Sequence, residues 1–268
     1  MDRLTFFFAS RLAGTVLFTA TMATTAAALP VFTWNPSAVG LSGSTLTADN
    51  LIVSNFSTVV LTPAGPGATF TDEGVLAVSA FQLGSSFLTG TGLNSPSGFG
   101  MYFGFTATGT QNTPGFDSST VGVFDTLDFT LYGYNIAAVP ALVTYSPLNV
   151  QPGGVINPIA LASGSLIAGS VGVNAIPNVG VVPNANTLVN FTPTPAFSAF
   201  FDDPIPFYNA AFAAFTNNPS QVQFVNGGFV ITQGGGSVNF LPVPVPEPAS
   251  MLLLGIGLAG LGMVRRRS

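Results

Sequence analysis

Phe124-Asp125-Thr126-Leu127-Asp128-Phe129-Thr130-Leu131-Tyr132 carries the plainest structural signal in this chain. Leu127, Phe129 and Leu131 alternate with Asp128, Thr130 and Tyr132, the period-two pattern of a strand with one buried face. On either side the sequence breaks into similar apolar runs separated by turn residues. These predict strands over 31–34, 45–53, 57–61, 74–83, 100–108, 120–134, 141–145, 155–162, 165–173, 188–191, 221–225, 228–232 and 237–241. Asn226-Gly227, between two such runs, is a hairpin turn signal. The run 233–236, Gln-Gly-Gly-Gly, reads as a second hairpin connection, because no Lys follows to make it a phosphate loop.

One segment departs from the alternation. Residues 206–215, PFYNAAFAAF, are Ala-rich, and Tyr208, Phe212 and Phe215 fall at i, i+4 and i+7, one face of a helix. Asp202 and Asp203 precede it as candidate caps, with Pro204 and Pro206 blurring the start. The expected fold is all-β: a β-sandwich, jelly-roll-like in one arrangement, with this short helix at an edge or open end.

Composition supports strands over helices. The 268 residues include 31 Gly, 21 Pro and 25 Phe but only 6% charged residues, and no Lys. Long exposed helices need many charged residues, whereas a core needs the apolar ones. All five basic residues lie at the extremes: Arg3, Arg11, Arg265, Arg266 and Arg267. A body without cations cannot neutralise phosphates, so nucleic acid is excluded as a partner and anionic lipid is disfavoured. Its one-signed acidic charge suits divalent cations or neutral polymers.

The two ends have their own logic. Residues 1–28 place Arg3 and Arg11 before an apolar run, then small residues, with Ala26 and Ala28 able to fill the −3 and −1 positions of a signal-peptide cleavage site. At the other end, Pro246-Glu247-Pro248 leads into the uncharged run 249–264 and then Arg265-Arg266-Arg267. As a helix that run would span roughly 24 Å, short of a bilayer core of about 30 Å. The arginines would hold its end in the cytoplasm. Three divisions follow: a signal peptide over 1–28, an extracellular β-rich body over 29–242, and a tail over 243–268.

Pro246-Glu247-Pro248, Ala249-Ser250, the LLLGIGLAGLG run and the basic end resemble the PEP-CTERM sorting signal of exported bacterial proteins. That resemblance implies a membrane-embedded exosortase as partner, transient residence of a C-terminal helix in the inner membrane, and final placement at the cell surface or in extracellular matrix. The body is similar to flocculation-associated PEP-CTERM proteins in three places: 32–59 (FTWNPSAVGLSGSTLTADNLIVSNFSTV), 206–215, and 227–240 (GGFVITQGGGSVNF). This second resemblance implies a role in cell aggregation together with extracellular polysaccharide.

Residue types narrow the chemistry. With no His and no Cys, Ser-His-Asp and Cys-His nucleophiles and His- or Cys-ligated zinc are excluded. With no Lys, Schiff-base and Ser-Lys mechanisms are excluded too. A glycosidase-type carboxylate pair would have to come from Asp125 with Asp128, Asp72 with Glu73, or Asp202 with Asp203, and none carries a supporting motif. The expectation is a protein that is not an enzyme and has no obligatory cofactor. A calcium site on Asp117, Asp125 and Asp128 is the one metal reading, against their role as turn and surface residues. The sequons at Asn55 and Asn190 read as chance. Two alternatives stand beside the aggregation reading: a carbohydrate-binding module or weak glycan hydrolase, and a structural surface-layer or filament subunit.

Overall fold

A computed structural model describes residues 29–62, 68–111, 120–137, 143–176 and 180–242. The signal peptide with Ala26 and Ala28, the sorting motif Pro246, Glu247 and Pro248, the run 249–264 and Arg265, Arg266 and Arg267 all lie outside them. So does Asp117.

The chain begins with β1 (Phe32–Trp34), a 3₁₀ turn over Pro36–Val39 and β2 (Leu46–Ala48). There follow β3 (Asn50–Leu61), β4 (Ala68–Leu83), the two-residue β5 (Ser86–Phe87), β6 (Phe99–Gln111), β7 (Thr120–Asn135), β8 (Ile159–Ile176), β9 (Gly180–Asn190) and β10 (Thr192–Pro193). After a second 3₁₀ segment, Pro195–Phe200, come β11 (Phe201–Asp203), β12 (Ala210–Thr216), a last 3₁₀ turn at Pro219–Gln221, β13 (Val222–Val225) and β14 (Gly228–Leu241).

Eight of these strands form a ring. In the order β3, β4, β6, β7, β8, β9, β12, β14, each pairs antiparallel with the next, and β14 pairs back onto β3. The all-β expectation holds, but the expected sandwich is a closed up-and-down β-barrel. Alternation reports that a strand has one buried face. It does not report whether that face looks at a second sheet or across the lumen of the same one.

The expected helix over 206–215 is also corrected. Ala210–Thr216 is a strand, hydrogen-bonded to β9 on one side and β14 on the other. Ala211 and Ala213 point inward and are buried, whereas Phe212 faces out. Asp202 and Asp203, expected as caps, belong to β11, which pairs with β1. The Gly-rich run is no hairpin either: it lies within β14, where the register shifts between Ile231 and Gly234. Asn226-Gly227 does make the expected turn, with Gly227 at φ +82° and Val225 opposite Gly228. The strand expected over 141–145 reduces, among the described residues, to one bridge between Thr144 and Gly153.

One end of the barrel is plugged by aromatic rings. Trp34 is fully buried and packs its ring against Phe32 (centroids 4.9 Å apart), Phe81 (5.7 Å), Phe200 (5.0 Å) and Phe240 (5.8 Å). Phe207 joins them from the segment ahead of β12, 5.0 Å from Phe240. The plug is tied to the wall by Asn135 at the end of β7, which donates from Nδ2 to the Gly40 carbonyl (2.8 Å) and accepts from the Ser42 amide (2.7 Å). Outside the barrel, residues 143–155 cross β3, β4, β6 and β7. Tyr145 there stacks on Phe56 (5.1 Å), and the Thr58 hydroxyl donates to the Pro147 carbonyl. The buried Tyr102 and Tyr134 lie beneath this strap.

Candidate functional site

At the end opposite the plug the lumen is not filled. The inward positions of β3 run Leu51, Val53, Asn55, Ser57, Val59 and Leu61, and those of β4 include Phe70, Asp72 and Leu76. Leu51 and Val53 belong to the core around the plug, and Val59 and Phe70 to a smaller cluster with Phe124, Phe229 and Ile231. Between and beside them lies a cavity of about 120 Å³. Its walls are mostly apolar, with Phe103, Phe105, Phe124, Phe129 and Phe191 among them. On the β12 side the wall is Ala211, Ala213 and Phe215, and the methyl groups of the two alanines reach only a short way into the lumen.

Polar groups break this apolar lining. Asn55, Asp72, Gln111, Thr187 and Asn217 all line it. Asn217 is 3% exposed; its Nδ2 donates to the Pro183 carbonyl at 2.9 Å, while its Oδ1 has no hydrogen-bond partner. That oxygen comes so close to β14 that a Cβ on Gly234 would lie 1.9 Å from it and 3.1 Å from the Asn55 Cβ. Glycine at the register shift therefore makes room for two amide side chains to meet in the lumen. The Asn55 Oδ1 is likewise buried and unpartnered.

Asp72 sits across the ladder from Val59 on β3 and Ala107 on β6. Desolvation pushes its carboxyl up to about 7. The Ser57 side chain opposes that rise and the Glu73 charge adds to it, both as lesser effects. Neither Asp72 Oδ1 nor the Ser57 hydroxyl makes a hydrogen bond of normal geometry. An acid that titrates near neutral pH and two amides thus present polar oxygens to one largely apolar space.

The sequence-derived acidic pairs do not assemble. Asp125 and Asp128 are both exposed on the outer face of β7. Asp125 is the extra residue where the β6–β7 register shifts, since Thr108 faces Thr126 and Gly109 faces Phe124. Asp72 and Glu73 point to opposite faces, and Asp202 and Asp203 are exposed. Among the described residues no three acidic, His or Cys side chains gather to hold a metal ion. The Asn55 sequon lies inside the barrel, with Asn55 and Ser57 both buried. Sequence reasoning missed Asn55, Asp72 and Asn217 as lumen residues. For the first two a signal existed: each is polar at an inward step of an alternating strand.

The tail supplies the second functional element. Residues 244–267 match the family model of the PEP-CTERM protein-sorting motif. The chain carries a PEP-CTERM sorting signal. A PEP-CTERM signal implies an exported protein processed by an exosortase, and it is consistent with transient membrane anchoring. The match covers the tail alone. No curated protein matches this PEP-CTERM chain, and no solved structure does.

Proposed function

We propose that this PEP-CTERM protein is a non-enzymatic component of the cell surface or extracellular matrix that promotes cell aggregation together with extracellular polysaccharide. The observation that carries the reading is the sorting motif at 244–267 on a body without a single cation. From Leu29 to Pro246 there are eight Asp or Glu and no Lys or Arg, a net charge of −8. Glu73, Asp125, Asp128, Asp202 and Asp203 are exposed, so much of that charge faces solvent. Divalent cations bridging such a surface to acidic polymer are a physical route to aggregation. This puts calcium in the role of a bridge between molecules and not of a bound cofactor.

The fold bears on the alternatives. Sugar recognition by exposed aromatics has little to work with, because most of the Phe residues described are turned into the core. A retaining or inverting glycosidase needs two facing carboxyls, and Asp72 is the one acid that lines the cavity among the described residues. Filament growth by strand addition needs free edges, and the main sheet closes on itself. Deleting the gene should abolish floc formation, and a chelator should disperse wild-type flocs. Normal flocs in the deletion strain would sink the reading. Replacing both Asp125 and Asp128 by Asn should lower the calcium sensitivity of aggregation without changing the unfolding midpoint, because both side chains are exposed.

A further inference from the structure

We propose that the open half of the barrel is a binding site for one small apolar molecule with a hydrogen-bond-donating head, of the size and chemistry of an aromatic alcohol or amine. The inference rests on the lumen and is independent of the aggregation reading.

Size comes first. An eight-stranded barrel has an interior just wide enough to be filled by side chains or to hold one small ligand. This barrel does the first at the Trp34 end and leaves about 120 Å³ at the other. An apolar cavity of about 150 Å³ takes up benzene, so the space suits a single ring. The void is built into the strand sequence, since Ala211 and Ala213 occupy inward positions where larger apolar residues would close it.

Chemistry comes second. Asn55 Oδ1, Asp72 Oδ1 and Asn217 Oδ1 are buried without partners, and all three residues line the same cavity. A buried polar atom left unpaired is costly, and three in one space call for a guest that pairs with them. The two amide oxygens can only accept, and so does the Asp72 carboxyl in its ionised form, so the guest that pairs with them is a donor. The Asn217 orientation is fixed by its Nδ2 bond to Pro183. A carboxylate-headed guest is disfavoured, because it would meet two acceptor amide oxygens and the ionised form of Asp72, with no Lys or Arg anywhere in the body to neutralise it. The rest of the guest meets apolar walls of aromatic and aliphatic side chains.

Access comes third. A second, polar hollow of about 390 Å³ on Ser170, Asn174, Asn186 and Thr216 shares Gly122, Val171, Gly172, Asn184 and Phe215 with the cavity. The two hollows therefore have these residues as a common wall.

The test uses the chain expressed with its own export and sorting signals and isolated after processing. Benzyl alcohol, benzylamine, toluene and benzoate are each titrated by calorimetry. One-to-one binding of benzyl alcohol or benzylamine at least tenfold tighter than toluene is expected, with no benzoate binding. Ala213→Leu, which fills the cavity, should abolish binding while melting as cooperatively as wild type. If that variant fails to fold, Asn55→Leu serves in its place: alcohol or amine affinity should drop at least fivefold and toluene affinity should not. Absence of binding by all four probes, equal affinity for toluene and the donor probes, or undiminished binding in the folded filled variant would overturn the proposal.

Discussion

Asp72 shows what a barrel interior does to a single side chain. In the unfolded chain its carboxyl titrates near 3.8, and in the folded chain near 7, chiefly because the lumen desolvates the charge. Below 3.8 both states are protonated and the residue is neutral toward stability. Between the two values the unfolded state has given up its proton while the folded state keeps it, so stability falls as pH rises. Above 7 the penalty is complete, about 4 kcal/mol from the size of the shift. Asp72→Asn should therefore match wild type at pH 4 and be more stable at pH 8, read from urea midpoints at both pH values. An unchanged difference across that range would contradict the buried placement. Trp34 is the opposite kind of residue, enclosed by rings and contributing mainly by packing. Trp34→Ala should cost roughly 3–5 kcal/mol by circular dichroism unfolding, since truncating a buried aromatic leaves a cavity. Its indole Nε1 is buried without a partner, so Trp34→Phe should cost much less.

The strands are where local pattern and tertiary context disagree. In the segment 206–215 the aromatics Tyr208, Phe212 and Phe215 fit a helical face, yet in β12 the buried set is Ala211 and Ala213, at strand spacing. Alanine differs from other helix formers by a few tenths of a kcal/mol per residue. Leaving this segment helical would strip ladder partners from both β9 and β14, a larger loss. The chain has no cysteine, so the register can be tested cleanly. Ala214→Cys with Ser237→Cys, directly opposite across β12 and β14, should form a disulfide on mild oxidation. Moving the second cysteine to Asn239 should not. Gly74 in β4 is a second case: a Cβ there would lie 2.1 Å from the Phe56 carbonyl. Gly74→Ala should lower the melting temperature, with backbone the atom in the way and nothing flexible to yield. By contrast Phe124–Tyr132 behaves as its alternation reads, with Phe129 and Leu131 buried and Asp128 exposed.

For the whole molecule, the consequential fact is closure. The interior has two halves with different tasks: a dry aromatic plug that carries stability, and a lined cavity that carries unpaired polar atoms. Intact-mass measurement of the extracellular protein should show a product lacking both ends, cut after Ala28 and near Pro246-Glu247-Pro248. A full-length mass in the medium would contradict processing. Such a product bears no positive side chain, so it should stay soluble at neutral pH and gather when divalent cations are added.

What the sequence determined by itself follows from rules that act along the chain. A tail is recognised by the order of its motif, apolar run and charges; the absence of cations from the body is read without any fold; and alternation with turn residues makes the body all-β. Those features survive whatever the strands do in space. The tertiary structure alone decided that β14 pairs with β3, that residues 206–215 supply a strand, and that Asn55, Asp72 and Asn217 share one cavity. Each depends on contacts between segments far apart in sequence. Period-two patterning marks an inward face without saying what stands opposite, and hydrogen-bond closure of the ring makes that choice.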